Sequence, residues 1–168
     1  MKVSAIKDKN FNFTLSYSDE YLIFKDLSEW LTPDRYEKLD IFDLYISLYD
    51  NPDNEILIKT NVNSDTYIPY TKLPVDKTNK SDFCYDGVYK FRIDILGKEL
   101  FRYEPILENI TCAYSKLVIS EDFDKAFKVM SEMEYIKSAT RNGLFEQAST
   151  HYKNLVYYIN KINCSCKH

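Results

Sequence analysis

All five prolines of this 168-residue chain, at 33, 52, 69, 74 and 105, lie at or before position 105, and the only strong helix breaker after them is Gly143. Proline has no backbone N–H and clashes with the preceding turn, so it is excluded from helix interiors and tolerated in turns and on edge strands. The distribution divides the chain into a turn-rich part and a helix-permissive part, with a boundary near 98–105. It predicts an α+β protein with a β-domain over 1–104 and a helical domain over 105–168.

Hydrophobic periodicity agrees with that division. Phe11, Phe13, Leu15 and Tyr17 alternate with polar residues. So do Phe42, Leu44, Ile46 and Leu48, with Tyr45 and Tyr49 on the opposite face, and then Tyr89, Phe91, Ile93 and Ile95. Period two is the pattern of half-buried strands. Segments 20–25 and 55–60 are shorter apolar runs of strand length, and Asn51-Pro52-Asp53-Asn54 has the residue types of a hairpin turn. Residues 61–81 read as a long loop with at most one short strand. Thr32-Pro33-Asp34 could start a helical turn. Several short strands with turns between them suggest an antiparallel, immunoglobulin-like β-sandwich. In such folds a tyrosine near the start of a late strand bonds back to the preceding corner, and Tyr89 after Asp86-Gly87 is placed for that; otherwise it is a core residue after a plain turn.

Past Pro105, read as the start of a helix, the apolar residues recur at helical spacing. Ile106, Ile110, Ala113, Tyr114 and Leu117 form a first stripe. Ser120 suits an N-cap, with Glu121 and Asp122 in the following turn. Phe123, Ala126, Phe127, Met130 and Met133 are expected to face the core of the next helix. Asn142-Gly143 is a stop, and Leu144, Ala148, Tyr152, Leu155, Ile159 and Ile162 make the last stripe. The expectation is a helical hairpin, 121–141 against 144–163, preceded by a shorter helix. Tyr135 and Ile136 then fall opposite the second stripe and Tyr157 opposite the third. A helix apolar on two faces needs two partners: Tyr135, Ile136 and Tyr157 either pack on the β-domain or the 106–118 helix, or are the candidate interface residues toward another subunit.

No catalytic or cofactor motif stands out. The three glycines are isolated, only two histidines occur (151 and 168), and neither a nucleophile elbow nor a zinc-protease motif is present. Cys164, Cys166 and His168 give three metal ligands at most, where structural zinc takes four, so no metal is expected there. Cys112 with His151 could be drawn as a nucleophile–base pair, but His151 sits at the flank of its stripe, where a packed or solvent-facing role is expected. No enzyme and no cofactor is expected. A net charge of −4 disfavours nonspecific DNA or anionic-membrane binding. The N-terminal residues show no signal-peptide run, which points to synthesis in a reducing cytosol and argues against disulfides among the four cysteines. Tyr 15 and Phe 10 supply much of the apolar surface, a composition suited to interfaces.

The segment FCYDGVYKFRIDIL, the cysteine-bearing stretch ENITCAYSKLVI, the long helical hairpin and the tail NCSC together resemble small virion proteins of tailed phages, of the crAss-like type. The resemblance implies a structural protein made in the host cytoplasm and built into the virion, as a repeated ring subunit of the neck or tail joining portal and tail. It implies homo-oligomeric contacts and contacts with other virion proteins, no membrane, no sequence-specific nucleic acid, proximity to packaged DNA at most, and no catalytic residues. The alternatives are a non-virion adaptor acting on a host or phage protein and, last, a metal- or thiol-dependent enzyme.

Overall fold

The computed structural model describes residues 11–28, 41–75, 85–95 and 97–160. The Thr32-Pro33-Asp34 turn and the Cys164–His168 tail lie outside them. Among these described residues seven strands come first: β1 (Phe13–Tyr17), β2 (Tyr21–Asp26), β3 (Ile41–Leu48), β4 (Asn51–Asn61), β5 (Asp65–Pro69), β6 (Gly87–Ile95) and β7 (Lys98–Ile106). Three helices follow: α1 (Glu108–Ile119), α2 (Phe123–Arg141) and α3 (Phe145–Asn160). The strands form two antiparallel sheets, β1-β2-β5 and β4-β3-β6-β7. This is the strand order of an immunoglobulin-like sandwich.

The alternating residues meet as their period requires. Phe13 and Phe24 of the three-stranded sheet pack on Phe91 of the four-stranded sheet, with ring centroids 5.1 and 6.2 Å apart. Phe11 meets Phe42 at 6.4 Å. Leu22, Leu44, Ile46, Ile68, Tyr89 and Ile93 complete a sealed core between the layers. Such aromatic pairs add about 0.5–1.5 kcal/mol each beyond area burial. The Arg102 guanidinium lies over the Phe13 ring and donates to the Phe13 carbonyl at 2.9 Å, tying edge strand β7 to edge strand β1.

The Tyr89 hydroxyl lies 3.0 Å from the Tyr85 carbonyl and 2.9 Å from the Pro74 carbonyl, so it does close the corner before β6. A Cβ at Gly87 would come to 3.0 Å from the Leu48 side chain, which would have to give by a few tenths of an ångström.

Three boundaries differ from the sequence reading. The β3–β4 turn is Tyr49-Asp50, not 51–54; Pro52 lies on the edge strand β4, beside a register shift, where a missing N–H costs little. Residues 98–106 form β7, so Pro105 and Ile106 are strand residues and the chain turns to helix at Leu107. Ladder parity explains the proline. Tyr49 N–H donates to the Val88 carbonyl at 2.9 Å, so the backbone of Val88 faces β3. Pro105 pairs with Val88 from the other side, and its nitrogen therefore faces the open edge. Finally, Ser120 ends α1 instead of capping α2. Glu121 takes φ +61° in the connection, and α2 begins at Phe123.

Gly143, at φ +79°, ends α2. Its N–H reaches the Thr140 carbonyl at 3.2 Å and the Leu144 N–H reaches the Ala139 carbonyl at 2.9 Å, the two bonds of a Schellman stop. The helices enclose a second core of Ile110, Ala113, Leu117, Val129, Ile136, Ala148, Leu155 and Ile159, which Val88 of β6 joins from the outer face of the four-stranded sheet.

Candidate functional site

The three expected interface residues separate. Ile136 is 0% exposed and belongs to the helical core, so it cannot serve an interface. Tyr135 is partly spent within the chain: its hydroxyl donates to Gln147 Oε1 at 3.0 Å and its ring packs on His151, centroids 4.1 Å apart. Tyr157, 66% exposed, faces outward as expected.

The physical reason is that α2 is turned the other way from the sequence expectation. Its inward residues are Ala126, Val129, Met133, Ile136, Ala139 and Thr140, while Phe123 (59% exposed), Phe127 (73%) and Met130 face out. Aliphatic and small residues fill the inward face of α2, and the large aromatics Phe123 and Phe127 are left on the far side. Phe123, Phe127 and Met130 follow one another at i, i+4 and i+7, so they form one stripe. Val118 and Ile119, the latter 81% exposed, stand at the end of α1, a few residues before the stripe begins. By helical spacing, Asp124, Glu134, Lys137 and Arg141 are the charged residues of α2 on and beside the stripe. Among the described residues, Ile119 and Phe127 are the two most exposed large apolar side chains.

A second constellation joins the two cores. Helix α1 has no side-chain cap of its own, because Leu107 stands at the N-cap. Asp86 supplies one from the β6 corner: Oδ1 accepts the Asn109 N–H at 3.1 Å and Oδ2 accepts the Ile110 N–H at 2.9 Å. The Asp86 carbonyl accepts the Tyr152 hydroxyl of α3 at 2.7 Å. Loss of water pushes the carboxyl up to about 8, against the pull of the backbone donors. On the adjoining part of the same face of α3, Asp50 accepts from Ser149 Oγ at 2.8 Å and pairs with Lys153 at 2.7 Å. Phe145 packs on Tyr103, centroids 3.9 Å apart. These contacts fix the helices on the sandwich, so the outward stripe is held in a set direction.

Other polar groups serve structure. Arg92 lies over Tyr45 and grips Glu55 through two bonds of 3.0 and 2.8 Å on the outer sheet face. An open cleft of about 330 Å³ between β7 and the α2–α3 turn is lined by Phe101, Tyr103, Arg141 and Phe145, with Arg102 and Glu104 already paired at 2.8 Å. His151 Nδ1 lies 3.3 Å from Glu132 Oε2. Cys112 is disulfide-bonded, which corrects the expectation of free thiols and removes it as a nucleophile for His151. Among the described residues, no group of three or more metal-ligating side chains converges, and no helix is long and apolar enough to cross a membrane.

The fold and its surfaces define an immunoglobulin-like β-sandwich with a docked three-helix cap. No protein-family model, curated protein or solved structure matches the chain.

Proposed function

We propose that this chain is a virion structural protein of a tailed phage, a repeated ring subunit of the neck or tail that joins portal and tail by protein–protein contacts. The observation that carries the reading is the outward apolar surface of Ile119, Phe123, Phe127 and Met130. An exposed apolar patch of this kind, on helices anchored to a rigid sandwich, is the signature of a contact surface. The Cys112 disulfide is in keeping with it, since released particles, unlike the cytosol, preserve such bonds.

Mass spectrometry of gradient-purified particles tests the proposal. The chain should co-purify with the major capsid protein in constant ratio across the particle peak. Its presence only in the lysate, with none in washed particles, would refute the virion role and favour an adaptor acting inside the host.

A further inference from the structure

We infer that the α2 stripe is a self-association surface: Phe123, Phe127 and Met130, with Ile119, bury themselves against the same surface of a second copy of this chain. The inference rests on the repeated-subunit reading and names the face that such a subunit uses.

Area favours a second copy. The two phenylalanines, of roughly 200 Å² each, are 59% and 73% exposed, and Ile119 is 81% exposed. With Met130 they offer on the order of 500 Å² of apolar surface, at the upper end of what a monomer leaves open. A stable interface needs about 800 Å² from each partner, of which about 60% is apolar. Two copies of this patch, each with its polar margin, meet both requirements.

Charge points the same way. Asp124, Glu134, Lys137 and Arg141 mix both signs around the stripe, so two identical faces can meet without single-sign repulsion. A membrane-binding face would instead carry a basic margin, and here the whole chain is net negative at −4. An apolar stripe is also self-complementary, which a two-fold contact requires. Such a contact cannot join neighbours within one cyclic ring; it pairs copies before assembly or across two rings, and head-to-tail ring contacts use other faces.

Sedimentation equilibrium of the purified full-length chain tests this, comparing wild type with Phe127→Ser and with Phe123→Ser/Phe127→Ser. Circular dichroism melts serve as the folding control. The wild type should dimerise, and the double variant should raise the dimer dissociation constant by at least about 30-fold while melting as the wild type does at concentrations where both are monomeric. Ile119→Ser is the second variant and should weaken association in the same direction. A wild type that stays monomeric at 100-micromolar-order concentration, or variants that associate as the wild type does, would overturn the inference. If that happens while the chain is still found in particles, the self-contact alone is lost and the virion reading stands. A dimer disrupted by these variants, with no chain in particles, keeps the contact and removes the virion reading.

Discussion

Replacing Asp86 by alanine strips the cap from α1 and leaves two helix N–H groups facing a void. Asn109 and Ile110 are both fully buried, so water cannot replace the carboxylate. A buried donor left unsatisfied costs about 1–3 kcal/mol, and loss of an N-cap costs about 0.5–2 kcal/mol. The two donors act through one group and are not additive, so the expected loss is about 3 kcal/mol, or roughly 6–12 °C in melting temperature for a chain of this size. The relief of burying the carboxyl partly offsets this, and the offset depends on pH. The carboxyl rises from its ordinary 3.8 to about 8 on folding. Between those values the folded state holds a proton that the unfolded state has released. By linkage, this group's contribution to stability declines as pH rises from about 4 to about 8. Asp86→Asn keeps one acceptor and cannot titrate, so it should cost less than alanine and flatten that slope. Urea titrations of the three proteins at pH 5, 6, 7 and 8 read both effects. An alanine variant within about 1 kcal/mol of wild type, or a slope unchanged in the asparagine variant, would refute the assignment of Asp86 as the joint.

Tyr89→Phe removes the corner hydroxyl and should cost about 1–2 kcal/mol with the fold retained, as read by denaturant midpoint at constant slope. Ile136→Ala should cost about 2–5 kcal/mol, the price of a core cavity, whereas Phe127→Ser should stay within about 0.5 kcal/mol. Comparable losses at both sites would show that the orientation of α2 is wrong. With Cys112 bridged, the oxidised chain should show fewer than four reactive thiols in denaturant, rising to four after reduction, with a lower melting temperature in the reduced form.

Most of the architecture was legible because it follows from period and punctuation. Alternation placed β1, β3 and β6, and the Asp86-Gly87 turn before Tyr89 marked the corner. Asn142-Gly143 marked the stop between α2 and α3. Strand β7 was missed because its outward Phe101 and Tyr103 and its inward Arg102 and Glu104 blur the alternation, and Pro105 imitates a helix start. The facing of α2 was misread because aromatic size was taken as the sign of burial. The better signal was present: Ala126, Val129, Met133, Ile136 and Thr140 follow one another by three, four, three and four, the spacing of a packed helix seam. The Asp86 cap could not be read, since it lies 22 residues before the helix it serves and only the fold brings them together.

A cryo-electron microscopy reconstruction of the intact neck and tail tests the proposal that this chain is built into a particle as a repeated subunit. The map should show several symmetry-related copies of a seven-stranded sandwich with three docked helices, arranged around the axis below the portal, with Phe123 and Phe127 covered by protein. A complete neck and tail map in which every density is assigned to other chains would contradict it.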